Sequence, residues 1–210
     1  IQLSAERIKK RYSLVFKGED LDFITHSTET IVNQVEVLRT MVNAFGKFAE
    51  EPTLTINDFN IISLIKESIS LYSKKDNKKI FKLSAHSESF TVYADEQKLR
   101  QVFNNLIKNA LDATINTSSP VINIKTNTIE INNEPCIELT ISDNGQGFEP
   151  NIADNIFEPY VTTKTKGKGL GLAIVKHIIE EHRGQIELHN KEEQGAAVII
   201  TLPVFQPRRG

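Results

Sequence analysis

The sequence is poor in cysteine, in long apolar runs and in net charge. Cys136 is the only cysteine among 210 residues, so the chain can form neither an internal disulfide nor a metal site of several cysteines. The longest apolar run, near residues 196–205, is broken by Thr201 and Pro203 and is far too short to cross a bilayer. The formal net charge of −2 argues against broad nucleic-acid binding.

The length of the chain fits one domain with an appendage or two small domains. Its composition, with 39% hydrophobic and 25% charged residues, is ordinary for a globular protein. No signal peptide is visible. Because the sequence starts with Ile1 rather than methionine, we expect a fragment or a processed product, and its own lack of a membrane segment says nothing about the parent protein.

Two glycine clusters flank a polar segment in the last third of the chain. The first reads Asp-Asn-Gly-Gln-Gly-Phe at residues 143–148, and the second reads Gly-Lys-Gly-Leu-Gly-Leu at residues 167–172 and leads into a predicted helix. Glycine permits positive φ and close approach to a ligand, and the N–H groups at a helix start suit bound phosphate. Each cluster alone is equally consistent with a turn or a loose helix entry. Together they predict a phosphate-binding arrangement.

The second cluster matches neither of the two commoner phosphate-binding motifs. A P-loop requires Ser or Thr after Gly-Lys, whereas Gly169 follows Lys168. A Rossmann fingerprint requires its third glycine where Leu172 stands. Another class of nucleotide site is therefore indicated.

A helix predicted over residues 95–114, with Asp95 as its N-cap, carries an unusual group of asparagines. Asn105 and Asn109 lie four residues apart and therefore share one helical face. A carboxamide oxygen is a ligand that Mg²⁺ accepts beside water and nucleotide phosphates. A solvated face is the simpler explanation, but Asn104 makes three asparagines in six positions of a helix that they weaken, which favours a functional role. The apolar positions at helical spacing are Leu99, Val102, Phe103, Leu106, Ile107, Ala110 and Ala113.

Four segments, in this order, resemble the sequence boxes of the GHKL (Bergerat-fold) ATP-binding domains of sensor histidine kinases. Residues 105–110 resemble the N box, 143–147 the G1 box, 156–160 (Ile-Phe-Glu-Pro-Tyr) the F box and 167–172 the G2 box. Residues 1–7 resemble the corresponding segment of NtrY-like nitrogen-regulation sensors. The resemblance implies an α+β fold, in which a two-layer α/β sandwich follows an antiparallel helical hairpin.

The resemblance also implies a site for ATP and Mg²⁺. Asp143 would bind the adenine amino group, Asn109 would hold Mg²⁺ through the nucleotide, and Asn105 would lie beside the phosphates. Residues 149–166 would form a lid, from which Lys164 could reach the triphosphate, although a solvated lysine is the alternative. Asn105, Asn109 and Lys164 are thus the candidates for catalysis. The candidate nucleotide-binding residues are Asn105, Lys108, Asn109, Asp112, Asp143, Gly145, Gly147, Phe148, Tyr160, Thr162, Thr163, Lys164, Gly167, Lys168, Gly169, Leu170, Gly171 and Leu172.

Asn105 bears on the type of reaction. Gyrase-type and Hsp90-type ATPases resemble this helix but carry Glu at the matching position, where it acts as a base toward water, and an amide cannot accept that proton. We therefore expect ATP to be bound without rapid hydrolysis, as suits a γ-phosphoryl donor to a protein histidine. The alternatives are a GHKL-type ATPase, a dimerisation module with a vestigial nucleotide site, and a protein-serine kinase on the same fold. A last glycine box at Gly195-Ala196-Ala197-Val198 departs from the pattern, in which Thr is commoner after the glycine.

Residues 1–52 are predicted to form the dimerisation hairpin and residues 53–207 the ATP-binding domain. Helices over 1–16 and 21–49 are expected, with a heptad seam from Ile31 onward. By resemblance, the phosphoacceptor histidine precedes Ile1 and is missing from this chain. His26 is a poor substitute because it falls at an outward heptad position without an acidic neighbour.

The resemblance also implies partners and a location. The chain is expected to form a homodimer and to act on a response regulator, and its parent is expected to be anchored in the bacterial inner membrane. The fragment itself is expected to be cytoplasmic and to contact neither membrane nor nucleic acid.

The remaining periodicities predict a mixed sheet with helices on one face. A helix over residues 59–73 precedes the asparagine helix, and one over residues 170–182 ends at Gly184 as its C′ residue. Asn132-Asn133 predicts a hairpin turn. His177, His182 and His189 are interpreted as structural or surface residues. The predicted strands are 79–84, 90–93, 121–131, 136–142, 185–190 and 197–203.

Overall fold

The computed structural model describes residues 2–12, 15–18, 20–32, 35, 54–73, 80–149, 155–162 and 169–204. The chain divides into two compact units, Ile1–Thr53 and Leu54–Gly210. Within the described ranges, no helix is both long and apolar enough to cross a membrane.

The first unit begins with helix α1, Gln2–Tyr12, which is shorter than predicted. The backbone N–H groups of Val15 and Phe16 both donate to the carbonyl of Tyr12 in a turn, and residues 15–18 are not helical. The rings of Tyr12 and Phe16 lie 5.7 Å apart across this turn.

Helix α2 covers residues 20–32 of the same unit. Thr28 is 5% exposed, and its hydroxyl donates to the carbonyl of Ile24, so a threonine lies on the buried side of a helix that was predicted from its aliphatic residues alone. His26 is exposed, as its heptad position indicated. The antiparallel packing of α1 and α2 stays a prediction. The later seam positions Leu38, Val42, Phe45 and Ala49 lie outside the described residues.

The second unit contains a five-stranded mixed sheet in the order β2-β4-β5-β7-β6. β2 is parallel to β4, and the other neighbours are antiparallel. A separate antiparallel pair joins β1 and β3. The strands are β1 Asn57–Asn60, β2 Phe81–Ala85, β3 Thr91–Ala94, β4 Ile122–Ile131, β5 Glu134–Asp143, β6 Gln185–Asn190 and β7 Ala196–Pro203, and the helices are α3 Ile61–Tyr72, α4 Glu96–Ala113 and α5 Gly171–Glu181.

One hydrophobic core joins the three helices to one face of the sheet. Along β7, every second residue is buried, as expected for a strand with one covered face. Of the apolar positions predicted on α4, all are buried except Ala113, which is of intermediate exposure, and Phe103 is 1% exposed. The predicted two-layer α+β architecture is confirmed. The largest fully buried side chains are Phe103, Ile61, Ile62, Leu64, Ile65, Leu99, Leu106, Ile107, Ile122, Ile124, Ile137 and Leu139.

Strand β1 was not predicted, because its sequence Asn-Asp-Phe-Asn has the composition of a turn. Asn60 ends this strand and caps α3, since its side-chain oxygen accepts from the backbone N–H of Ile62 at 3.0 Å and of Phe90 at 3.1 Å. The β4–β5 hairpin was predicted. Asn132 and Asn133 have φ values of 52° and 64°, as a type I′ turn requires.

The end of α5 differs from the prediction in one residue. Arg183, not Gly184, has the left-handed conformation, with φ 55°. Arg183 N–H donates to Glu180 and Gly184 N–H donates to Ile179, so Arg183 is C′ and Gly184 is C″ of a Schellman motif. Gly184 is needed for close packing instead, because a Cβ there would lie 2.6 Å from the carbonyl oxygen of Thr201.

A polar cluster ties the start of α4 to the end of α5. Asp95 caps α4 by accepting from Lys98 N–H, and it also accepts from Thr55 N–H. The backbone N–H of Asp95 donates to Nε2 of His182 at 3.0 Å, while Nδ1 of His182 lies 2.7 Å from the carbonyl of Ile178. With Nε2 as acceptor, Nδ1 must carry the proton. His182 is therefore a buried structural residue.

Candidate functional site

The asparagine face of α4 lies beside the start of α5. Asn105 and Asn109 are both half-buried on this helix, as their four-residue spacing predicted. Asn109 Nδ2 is 3.9 Å from the point that a Cβ on Gly171 would occupy. The structure thus brings together the N box and the G2 box, which are about 60 residues apart in sequence.

The start of α5 presents backbone N–H groups of the kind that suit an anionic ligand. Its N-cap residue is Leu170, which makes no side-chain capping bond, so no side chain of that residue satisfies the first N–H groups of the helix. A helix N-terminus favours phosphate through its N–H groups and its dipole. Asn109 adds an amide at the same place.

The F box supports this helix start through its backbone. Tyr160, at φ 70°, donates its N–H to the carbonyl of Gly169 at 2.9 Å. A Cβ on Gly169, which has φ 65°, would lie 2.7 Å from Tyr160 Cα. Ile156 is 4% exposed, and the Lys176 ammonium lies 5.8 Å from the centre of the Phe157 ring.

Asp143 ends β5 and is 7% exposed. Its Oδ1 accepts from the N–H of Gly145 at 2.8 Å, which closes a tight turn. Burial raises the pKa of Asp143 above its ordinary value, against the opposing effects of backbone N–H groups of Gly145 and Ala196 and of the positive charge of Lys191. A buried carboxylate of this kind is suited to accept hydrogen bonds from a ligand amino group.

Gly145 places the G1 turn against the C-terminal end of α4. A Cβ at this position would collide with the carbonyl group of Ala113, so only glycine fits. Asn144, next to it, accepts from Val121 N–H and donates to the carbonyl of Ser119. The turn is therefore fixed between α4 and the loop that follows it.

Two contact residues of the G1 turn were missed by sequence reasoning. Asn190 bonds both backbone polar groups of Phe148, and Lys191 Nζ lies 3.3 Å from the carbonyl oxygen of Asp143. Neither belongs to a glycine box. The sequence offered one signal for these contacts: Asn190 and Lys191 stand just before the turn that ends at Gly195.

The other candidate residues are in part exposed and in part outside the described chain. Lys108 and Asp112 are exposed on α4, and Thr162 is exposed after the F box. Leu172 packs against the core. Thr163, Lys164, Gly167 and Lys168 lie outside the described residues, so their roles stay predictions.

Comparison with known proteins agrees with the geometry. The sequence profile of the "Histidine kinase-, DNA gyrase B-, and HSP90-like ATPase" family matches residues 94–206, more than half of the chain. An NtrY-like sensor histidine kinase of Rickettsia bellii is 32% identical over 200 residues, which are 95% of this chain and 32% of that protein. The chain thus spans about a third of the length of this curated relative.

Two solved structures show the same similarity. The nucleotide-free catalytic domain of histidine kinase ThkA is 31% identical with a TM-score of 0.62, covering 71% of this chain and 95% of that one. ThkA in complex with response regulator protein TrrA is 27% identical with a TM-score of 0.65, covering 97% of this chain and 56% of that one. The family predicted from the four boxes is therefore confirmed, and the chain belongs to the family of histidine kinase-, DNA gyrase B- and HSP90-like ATPases.

Proposed function

We propose that this chain is the ATP-binding catalytic portion of a sensor histidine kinase, which transfers the γ-phosphoryl group of ATP to a histidine outside residues 1–210. The observation that carries the proposal is the position of Asn109 beside Gly171, at the start of α5, whose N-cap residue Leu170 makes no side-chain capping bond. This pair supplies an amide and helix N–H groups for the phosphates of ATP, and Asp143 supplies a buried carboxylate for its adenine base.

The geometry supports distinct roles for the two ends of the site. Asp143 would accept a hydrogen bond from the adenine amino group, because its carboxylate is buried and held by the N–H of Gly145. Asn105 and Asn109 would face the phosphates from α4. Lys164, with Thr162 and Thr163, would complete the phosphate end from the segment after the F box.

The residues present fit a magnesium ion that is bound together with ATP. In the part of the chain that the structure describes, no group of three or more His, Cys, Asp or Glu side chains could hold a metal ion. Mg²⁺ often binds through nucleotide phosphates, waters and one or two protein oxygens, and the amide of Asn109 can supply one of these. When bound, the ion would neutralise phosphate charge during transfer.

Asn105 favours a kinase over a hydrolase. Its neutral amide stands where a hydrolase of this family would need a base for water, and an amide cannot accept a proton at neutral pH. Positioning and charge neutralisation suffice for phosphoryl transfer to a protein side chain. Slow hydrolysis then preserves ATP for the acceptor.

Residues 1–52 would provide the dimerisation hairpin of this kinase, and residues 53–207 its ATP-binding domain. The similar kinase ThkA is seen in complex with a response regulator, which supports a receiver-domain aspartate as the final acceptor. By resemblance to sensor histidine kinases, the parent protein would be anchored in the bacterial inner membrane, with this portion on the cytoplasmic side.

Incubation of the chain with γ-labelled ATP and Mg²⁺ tests the proposal, with protein-bound label, free phosphate and nucleotide binding followed together. We expect binding with neither protein labelling nor rapid phosphate release. Rapid release that Asp143→Asn abolishes would instead identify an ATPase. Acid-labile label on the chain would contradict the absence of an acceptor, and His26→Ala would then test the exposed histidine of α2.

A further inference from the structure

The turn between β6 and β7, residues 190–195, contacts the backbone of the G1 turn, residues 143–148. Asn190 Oδ1 accepts from the N–H of Phe148 at 2.8 Å, and Asn190 Nδ2 donates to the carbonyl of Phe148 at 2.8 Å. One side chain therefore binds both polar backbone groups of one residue, as a neighbouring strand would.

Close packing joins the same two turns. Gly147 has φ 73°, and a Cβ on it would lie 2.8 Å from Asn190 Oδ1 and 3.3 Å from the carbonyl oxygen of Gly195. Gly195 has φ 97°, and a Cβ on it would collide with the carbonyl oxygen of Asp143. Gly195 is thus required by the contact between the turns as well as by its backbone angle, whereas Gly147 is favoured chiefly by its positive φ.

Lys191 adds a third connection. Its ammonium lies 3.3 Å from the carbonyl oxygen of Asp143, and its charge counteracts the rise in the pKa of the Asp143 carboxyl. Its backbone N–H donates to the carbonyl of Gly195, which closes the β6–β7 turn. The β6–β7 turn therefore has a backbone hydrogen bond of its own in addition to its contacts with the G1 turn.

The Asn190 side chain is not needed for the sheet. Asn190 is the last residue of β6, paired with Ala196 through the strand register, and its side chain is exposed to solvent. Its two side-chain bonds go to the G1 turn, which ends at Phe148 and begins at Asp143. Loss of the amide should therefore loosen that turn without disrupting a strand.

We propose that Asn190 is a positioning residue of the nucleotide site, which holds the G1 turn in its binding geometry before ATP arrives. The inference rests on the proposed function, since it assumes that Asp143 and its turn bind the base. A turn that is ordered in advance lowers the cost of ordering on binding, and a turn that must be ordered by the ligand reduces the apparent affinity. Asn190 itself need not touch the nucleotide.

The test compares Asn190→Ala with His189→Ala and with the wild-type chain. His189 is the preceding residue on the same strand and is exposed, and its Nε2 lies 3.1 Å from Glu187 of the same strand, so it controls for changes to β6 alone. ATP affinity is measured by calorimetry with Mg²⁺, well below the melting temperature of each variant. We expect the dissociation constant of Asn190→Ala to rise about fivefold, equivalent to about 1 kcal/mol, and that of His189→Ala to stay within twofold.

Hydrogen exchange provides a second readout that needs no nucleotide and that a general loss of stability would not imitate. The Phe148 amide should be protected in the wild-type chain and should exchange faster in Asn190→Ala, while amides in the core of β5 and β7 keep their protection. A readily exchanging Phe148 amide in the wild-type chain would overturn the inference even if the variant failed to fold.

The outcomes separate the inference from the proposed function. If the wild-type chain binds ATP and Asn190→Ala binds it equally well, the inference is wrong and the proposed function stands. Equal loss in His189→Ala would also overturn it, because the effect would then belong to the strand. If the wild-type chain does not bind ATP, the proposed function fails, and the positioning role fails with it.

Discussion

At the scale of single residues, the site depends on a few side chains whose chemistry differs sharply from their surroundings. Asp143 is an acid held in a buried position, and Asn109 is an amide beside a helix start. The asparagines were identifiable from the sequence because asparagine weakens a helix, whereas Asp143 was identified through the resemblance of its segment to the G1 box. Its burial, which costs a carboxyl group its hydration, was seen only in the structure.

Replacing Asp143 by Asn should weaken ATP binding by about 10- to 100-fold, because a hydrogen bond to a charged acceptor is lost within a buried site. The fold should remain, since the amide oxygen can still accept from Gly145 N–H. Calorimetry with Mg-ATP and a thermal melt measure the two effects. Glu138→Gln, the same chemical change on the same strand, is the control, and equal affinity of Asp143→Asn and the wild-type chain would contradict the adenine assignment.

The raised pKa of Asp143 predicts a pH dependence of stability. As pH rises above the ordinary value of 3.8, the unfolded chain loses this proton first, so the free energy of unfolding falls until the raised pKa of the folded state is passed. Urea unfolding of the wild-type chain and Asp143→Asn at several pH values isolates this component. The free energy of unfolding of the wild-type chain minus that of Asp143→Asn should decrease as pH rises over that window and then stay constant. A difference that increases with pH would mean that the folded pKa is lowered.

Replacing Asn109 by Ala should remove most of the benefit that Mg²⁺ gives to ATP binding. We expect affinity for Mg-ATP to fall about tenfold, with a smaller change when the metal is chelated. Gln101→Ala, an exposed position on the same helix, is the matched control. The Mg²⁺ assignment fails if the loss is the same with and without the metal.

At the scale of elements, α4 and α5 share the hydrophobic core, and polar residues of the two helices meet at two places along them. The site lies where Asn109 meets Gly171, and the structural cluster lies where the start of α4 meets the end of α5. In this cluster, Glu181 binds Lys98 at 2.9 Å and lies 3.2 Å from His177. Asp95 and Asn109 are 14 residues apart, about 21 Å along the helix. Stability and ligand binding should therefore be separable by mutation.

His182→Ala tests this separation. Removing the ring leaves the buried backbone N–H of Asp95 without its acceptor. The free energy of unfolding should therefore fall by about 1–3 kcal/mol. ATP affinity at a temperature where the variant is folded should stay within about twofold, because the change is remote from Asn109. His189→Ala, at an exposed position, should change neither quantity. A large loss of affinity in a folded His182→Ala would show that the two ends of the helices are coupled.

At the scale of the whole molecule, the sequence predicted most of the architecture but not the contacts between distant turns. Periodicity identified α3, α4, α5 and the strands of the main sheet, because each has one apolar face. β1 and the position of Arg183 were missed, since a polar four-residue strand and a left-handed arginine depend on tertiary contacts and not on local preference. Asn190 was missed for the same reason: its partner Phe148 is 42 residues away.

The division into two compact units gives a final prediction. Every described residue of the proposed site lies in Leu54–Gly210, and the core that supports α4 and α5 lies there as well. A protein made of that unit alone should therefore fold cooperatively and bind Mg-ATP with a dissociation constant within about threefold of the full chain, a difference of less than about 1 kcal/mol. Circular dichroism melts and calorimetry on both proteins measure this, with Asp143→Asn in each background as the control. If the isolated unit folds but no longer binds ATP, the first unit must contribute directly to the nucleotide site, and the assignment of binding to the second unit alone would have to be abandoned.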